Sequence, residues 1–287
     1  KADVLVENFR PGTLEGWGLG YEALKAINPR LIMLRISGYG QTGPYRDLPG
    51  FGVIGEAMGG LRHLSGYPGQ APVRVGISIG DSLSSLYGVI GVLLALQERA
   101  RSGEGQEIDV ALYESVFAMM ESLIPEYDAF GYVREPAGSA LPGITPSNSY
   151  PCNDGSYVLI AGNGDSIYKR LMTLMGRQDL ADDPRFVTNK ARVAHRAELI
   201  PLLRQATVFK TTAQWIELLE KAGVPCGPIN DLQQVFADPQ VQARGLRLDL
   251  PNALGSSTPQ VASPLRLSVT PVAYRSAPPL LGQHTDS

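Results

Sequence analysis

The chain has 287 residues, 44% of them hydrophobic, with 25 Lys+Arg against 28 Asp+Glu and a net charge of −3. That length supports one large or two modest domains, and no disulfide staple is needed. The balanced charge, with no run of one sign, excludes a general polyanion-binding surface but not a local phosphate pocket.

Val4 to Glu7 reads as a short strand, and Tyr21 to Ile27 carries helical spacing that Asn28-Pro29 stops. Leu31 to Ile36 is a nearly continuous apolar run, expected of a strand covered on both faces. Strand, helix and strand in this order make a βαβ unit with a right-handed crossover. Gly38 to Gly60 is loop-rich, and Val73 to Ile79 is a further strand candidate. Ser82 to Ala100 predicts a helix that is apolar nearly all round and therefore buried. Ile108 to Ala111 predicts a strand, and Glu114 to Ile124 a second apolar helix with Glu114 an ordinary helix-start acid. Pro136 to Pro151 is a Pro/Gly/Ser-rich linker.

Past the linker, Tyr157 to Ala161 predicts a strand, and Ser166–Met175, Lys190–Arg204 and Thr212–Ala222 predict amphipathic helices. Leu246–Leu250 and Pro264–Val269 read as strands of a returning segment. The expected organisation is a large α/β domain over 1–135, a linker over 136–152, a smaller α+β domain over 153–230 and a return to the large domain over 231–287. Thirty-two Gly and 22 Pro make up roughly a fifth of the chain, against about 12% in average usage. Lacking any period, they indicate tight turns and closely approaching loops.

Only Cys152 and Cys226 and three scattered His are present, so a structural zinc site is not expected and the thiols read as free in a reducing compartment. The most apolar window, Leu83 to Leu96, is too short to span a bilayer. No signal peptide precedes the first strand. The expectation is a cytoplasmic protein (mitochondrial matrix in a eukaryote) without membrane or nucleic-acid partners. The abrupt start at Lys1 and the stop at Gln283–Ser287, with nothing helical to close the chain, suggest truncation at both ends.

Two motifs compete for the chemistry. Gly38-Tyr39-Gly40-Gln41-Thr42-Gly43 follows a strand and matches a dinucleotide fingerprint, yet Pro44 and Pro49-Gly50 prevent the helix that must open there. Gly76-Ile77-Ser78-Ile79-Gly80 matches a nucleophile elbow, with Ser78 as the candidate of a Ser hydrolase and only His195 or His284 as distant bases. Gly80-Asp81-Ser82 instead places a carboxylate at the start of the long helix. From position alone Asp81 is an N-cap, complementing the helix dipole.

A series of segments in order carries more information. They are Ala2-Asp3-Val4-Leu5-Val6-Glu7-Asn8-Phe9-Arg10-Pro11-Gly12, Asn28-Pro29-Arg30-Leu31-Ile32, Ser37-Gly38-Tyr39-Gly40-Gln41-Thr42-Gly43-Pro44, and Pro72-Val73-Arg74-Val75-Gly76 leading into Gly80-Asp81. Ser102-Gly103-Glu104-Gly105-Gln106, Asp154-Gly155-Ser156-Tyr157, Gly223-Val224-Pro225-Cys226-Gly227-Pro228 and Pro279-Leu280-Leu281-Gly282-Gln283-His284-Thr285 follow. In this order the chain resembles the class III (family III) CoA-transferases, among them formyl-CoA, carnitine and succinate–hydroxymethylglutarate CoA-transferases.

The resemblance implies an α/β fold: a Rossmann-like large domain with a parallel sheet, its first strands missing, a smaller α+β domain, and an interlocked homodimer. It implies a transferase with Asp81 as covalent nucleophile, coenzyme A and acyl-CoA as substrates, and no resident cofactor or metal. Asn8 and Phe9 match the CoA-contacting pair. Arg10, Gly38, Tyr39, Gly40, Phe51 and Arg74 join them as CoA- or substrate-binding candidates, whereas Arg35 reads as structural. The glycine-run loop of formyl-CoA transferase has no counterpart in Leu141–Asn148, which argues against formyl-CoA and oxalate. The succinate–hydroxymethylglutarate likeness favours a dicarboxylate such as succinate. An α-methylacyl-CoA racemase of the same fold is the alternative. It needs a His where Phe51 stands, and His63 sits in a structural setting.

Overall fold

The computed structural model describes residues 2–285. The chain divides between Pro142 and Gly143 into two compact units.

In the first unit, strands β1 (Val4–Glu7), β2 (Ile32–Ser37) and β3 (Glu107–Ala111) form a parallel sheet in the order β1-β2-β3. Helices α1 (Thr13–Gly16) and α2 (Tyr21–Ile27) connect β1 to β2, the crossover that the βαβ reading requires. The apolar run behaves as a covered central strand: Ile32 and Met33 are fully buried. Helices α3 (Gly52–Met58) and α4 (Leu61–Leu64) follow β2. Helix α5 (Ile79–Ser102) then returns the chain to the start of β3, and α6 (Leu112–Phe117) and α7 (Leu123–Phe130) close the unit.

Four expectations for this unit are corrected. Val73 to Ile79 is not a strand, because its amides have other partners: Val73 donates to the Ser65 carbonyl and Val75 to the Glu56 carboxylate. Helix α5 is not buried. It rests on the sheet at Gly88, against Leu34, and at Gly91, against Ile108, while Leu86, Val89, Leu93 and Leu94 are each more than half exposed. It also outruns the apolar window: its 24 residues are long and apolar enough to cross a membrane by length and composition alone. The second apolar helix breaks where Glu121 takes a left-handed φ of 49°, which separates α6 from α7.

One cluster, centred on the buried Arg35, ties the three strands together. Arg35 on β2 donates to Glu7 of β1 at 2.6 Å, to Glu15 of α1 at 2.6 Å and to Glu107 of β3 at 3.0 Å. Its guanidinium holds the Glu15 carboxyl below the usual carboxylate range.

In the second unit, β4 (Ser147–Pro151), β5 (Tyr157–Ala161) and β6 (Cys226–Pro228) form an antiparallel sheet. Strand β4 thus occupies the end of the segment read as linker. Helices α8 (Asp165–Leu174), α9 (Gln178–Ala181), α10 (Asn189–Ala194), α11 (Arg196–Thr207) and α12 (Thr212–Lys221) lie between β5 and β6. Tyr150, Ile160, Tyr168, Leu171, Trp215 and Leu219 belong to their shared core. The helix expected over Lys190–Arg204 is two, divided at His195, whose ring meets Glu198 at 2.9 Å. The buried Arg192 explains the fixed approach to that break. Its guanidinium donates to three carbonyls (Thr145, Phe186, Asn163) and to Asp165, and stacks over Tyr168.

After α13 (Leu232–Ala237) and α14 (Pro239–Ala243), β7 (Arg247–Pro251) and β8 (Ser257–Val261) make a hairpin. Residues 264–269 are not a strand; the partner of β7 is β8, which the sequence reading did not mark.

Candidate functional site

Parallel strands place their carboxyl ends on one edge, where open α/β sheets bind ligands. Here that edge carries the Asn8–Arg10 turn after β1, the Gly38–Gly50 loop after β2 and Leu112 after β3. Because α5 runs back toward the start of β3, its first turn lies at the same edge and brings Asp81 there. A cleft of about 180 Å³ results, lined by Asn8, Phe9, Arg10, Gly38, Phe51 and Asp81 together with Arg46, Gly50 and Leu112.

Glycines permit the close approaches that shape it. A Cβ on Gly38 would lie 2.8 Å from Gly50 Cα, so the loop can close on itself only with glycine at both places. A Cβ on Gly52 would lie 2.0 Å from Asp81 Oδ2: the carboxylate occupies the space where a side chain would stand at the head of α3. Ser78 is the N-cap of α5 and makes no side-chain cap bond, which puts Asp81 inside the first turn rather than at the cap. That place corrects the capping expectation and leaves the carboxylate exposed and favourably set in the helix dipole.

The backbone around the cleft is held by side chains. Glu7, itself fixed by Arg35, accepts the Phe9 amide at 2.7 Å, and the Phe9 ring meets Trp17 edge-on at 5.3 Å. Asp109 accepts the Gln41 amide at 2.7 Å, and Ser37 Oγ accepts that of Gly40 at 3.0 Å. Arg10 donates to the Asp47 carbonyl at 2.7 Å, tying the first loop to the second.

Of the nine residues singled out in the sequence, six line the cleft. Tyr39, Gly40 and Arg74 do not. Tyr39 packs its ring on Tyr45 and Tyr113, and the Gly40 amide is already bonded to Ser37. Arg74 is exposed, its charge acting on buried Glu56. Burial opposes ionisation of Glu56, but the Arg62 guanidinium and the Val75 amide prevail and hold its carboxyl below the ordinary range. Arg46 and Leu112 were not singled out.

The nucleophile-elbow reading of Ser78 loses its context, since no strand leads into α5. His63 pairs with Glu135 at 3.6 Å and His195 with Glu198. Among the described residues no group of three His, Cys, Asp or Glu is placed to hold a metal.

The family model for CoA-transferase family III matches residues 1–285. The chain belongs to that family and is an enzyme that transfers CoA. It is 50% identical over 283 residues to the succinyl-CoA–D-citramalate CoA-transferase of Chloroflexus aurantiacus, covering 98% of this chain and 70% of that one. It is 43% identical over 298 residues to the beta subunit of succinyl-CoA–L-malate CoA-transferase from the same organism, covering 99% and 71%. Among solved structures, a CAIB/BAIF family protein from Brucella suis is 41% identical, with a TM-score of 0.87 over 99% of this chain and 73% of that one.

Proposed function

We propose that this chain moves CoA from succinyl-CoA, or a similar donor, to a dicarboxylic acid through covalent intermediates on Asp81. Both relatives named above are succinyl-CoA transferases with dicarboxylate acceptors. The observation that carries the reading is Asp81 itself, the one carboxylate among the residues lining the cleft, at the head of a 24-residue helix.

An Asp81 oxygen attacks the thioester carbonyl; its C–S bond breaks, leaving an aspartyl–acyl anhydride and CoA thiolate. The thiolate attacks the aspartyl carbonyl, and the anhydride C–O bond breaks to release the donor acid and leave an enzyme–CoA thioester. An incoming carboxylate attacks that thioester and re-forms an anhydride and thiolate. Attack of the thiolate on the substrate carbonyl then yields the new CoA ester and restores Asp81. No proton is gained or lost. The thioester energy survives only if water is kept out at each stage. CoA is a substrate here, and the reading invokes no resident cofactor. Donor and acceptor acids are identified by incubating the protein with a panel of acyl-CoA esters and carboxylates and resolving the products by mass. Dicarboxylate esters are expected to dominate; exclusive transfer to monocarboxylates contradicts the reading.

Gly52→Ala tests the seat of the nucleophile. Alanine suits a helix better than glycine, but its Cβ needs the space that Oδ2 fills. A displacement of about 1 Å costs about a hundredfold in rate, so transfer should fall by that order with little change in thermal midpoint. Full activity would show that the carboxylate is not seated there during turnover.

Racemase chemistry of the same fold needs a base where Phe51 lines the cleft. With a 2-methylacyl-CoA in heavy water, no exchange of the α-proton is expected by proton NMR; steady deuteration at turnover rates would reverse the assignment.

The assembly we propose is an intimate homodimer burying well above about 2,000 Å², to which the exposed apolar residues of α5 and α7 would contribute. Sedimentation at micromolar concentration should give twice the chain mass. A monomer, or a requirement for a second, different chain, would contradict it.

A further inference from the structure

We infer that Arg10 and Arg46 form a clamp for the remote carboxylate of a dicarboxylic substrate while its other end reacts; this rests on the reading of Asp81 as the nucleophile. The cleft is small and its charge is uneven. At about 180 Å³ it has the room of about six waters. That suits the short carbon chain of a four- or five-carbon diacid. The residues that line it carry one carboxylate, Asp81, and two guanidiniums, those of Arg10 and Arg46. A site built for a plain acyl chain would have apolar side chains in place of the two cations.

Neither cation is used up. Arg10 gives one N–H to the Asp47 carbonyl, a neutral acceptor, and has no carboxylate partner within ion-pair distance among the described residues. Arg46 meets the exposed carboxylate of Asp47, at 3.4 Å through Nε, and no other carboxylate within ion-pair distance among the described residues. Asp47 thus spaces the two guanidiniums, its carbonyl holding one and its side chain the other. A planar guanidinium offers paired donors that fit a carboxylate. Reaction at Asp81 occupies one end of a diacid, and the other end, still charged, needs a cation within the same small space.

The test compares succinyl-CoA with butyryl-CoA, which share the CoA portion and a four-carbon chain and differ in the remote carboxylate. The measured quantity is the second-order rate constant for forming the covalent enzyme–CoA adduct in a single turnover, followed by intact mass. In Arg46→Gln the preference for succinyl-CoA over butyryl-CoA should fall about ten- to a hundredfold, with a similar fall in Arg10→Gln and partial recovery in Arg46→Lys. Equal losses for both esters would mean that the guanidiniums serve the shared CoA, and an unchanged preference would mean that they serve neither; each overturns the clamp alone. If the wild type forms no adduct from either ester, the Asp81 reading falls and the clamp with it.

Discussion

In Asp81→Asn, CoA transfer is expected to vanish, by about three orders of magnitude or more, while the thermal midpoint moves by a degree or two. The contrast follows from where the residue stands. Asp81 is exposed in the first turn of α5 and is not its cap, so little of the fold depends on its charge. Asparagine keeps the size and can sit in the space beside Gly52, but its amide is a poor nucleophile and cannot form an anhydride. Ser78→Ala, measured alongside, should leave transfer nearly normal, since Ser78 makes no cap bond and no strand precedes it. An active Asp81→Asn enzyme, or an inactive Ser78→Ala one with an intact fold, would defeat the nucleophile assignment.

Arg35→Met should produce the largest loss of stability, about 3–5 kcal/mol, or a fall in midpoint of about 10 °C. Methionine matches the stem of arginine but leaves Glu7, 3% exposed at its side chain, without its cation. The effect should depend on pH with a definite sign. Arg35 lowers the Glu15 pKa, so that pair stabilises the fold above the unfolded carboxylate pKa and ceases to do so as pH falls through the lowered value. Urea unfolding of wild type and variant should therefore differ most near neutral pH and converge in acid. A loss below about 1 kcal/mol at pH 7 would mean that the carboxylates relax to solvent without disturbing the strand ends.

Much of this architecture was legible because it is encoded locally. The apolar run before Ser37 and the proline stop after Ile27 report neighbours a few residues away, and β1, α2 and β2 fall where those signals put them. Val73–Ile79 failed for the opposite reason. Its β-branched residues carry strand propensity, but the partner of the Val75 amide is Glu56, nineteen positions back, and no ladder is present. The apolar circumference of α5 was also misleading: composition reports that apolar residues need cover, without saying that this chain supplies it on one side only. The break at Glu121 is a single left-handed residue four positions before Pro125, whose missing N–H removes the helical bond back to the Glu121 carbonyl; the sequence reading let the helix run to Ile124 without drawing on that proline.

The site divides along the same line. Asn8, Phe9, Arg10, Gly38, Phe51 and Asp81 were reachable through sequence motifs, and they share one cleft. Arg46 and Leu112 line it only because the loop folds back through the Gly38–Gly50 contact and because β3 ends beside β2. Both are tertiary facts with no local signature. Gly40 illustrates the converse: a glycine in a ligand-like motif whose amide is spent on Ser37.

The most direct measurement is the chemical identity of the residue that carries the intermediate. Wild-type protein is mixed with succinyl-CoA, quenched with hydroxylamine, digested with trypsin and read by peptide mass. Cleavage after Arg74 and Arg99 isolates Asp81 on a peptide that also contains Ser78 and Glu98 as internal controls. An aspartyl hydroxamate at Asp81, absent when succinyl-CoA is withheld, is the expected result. No label, or a label on Ser78 or Glu98, would contradict covalent catalysis by Asp81.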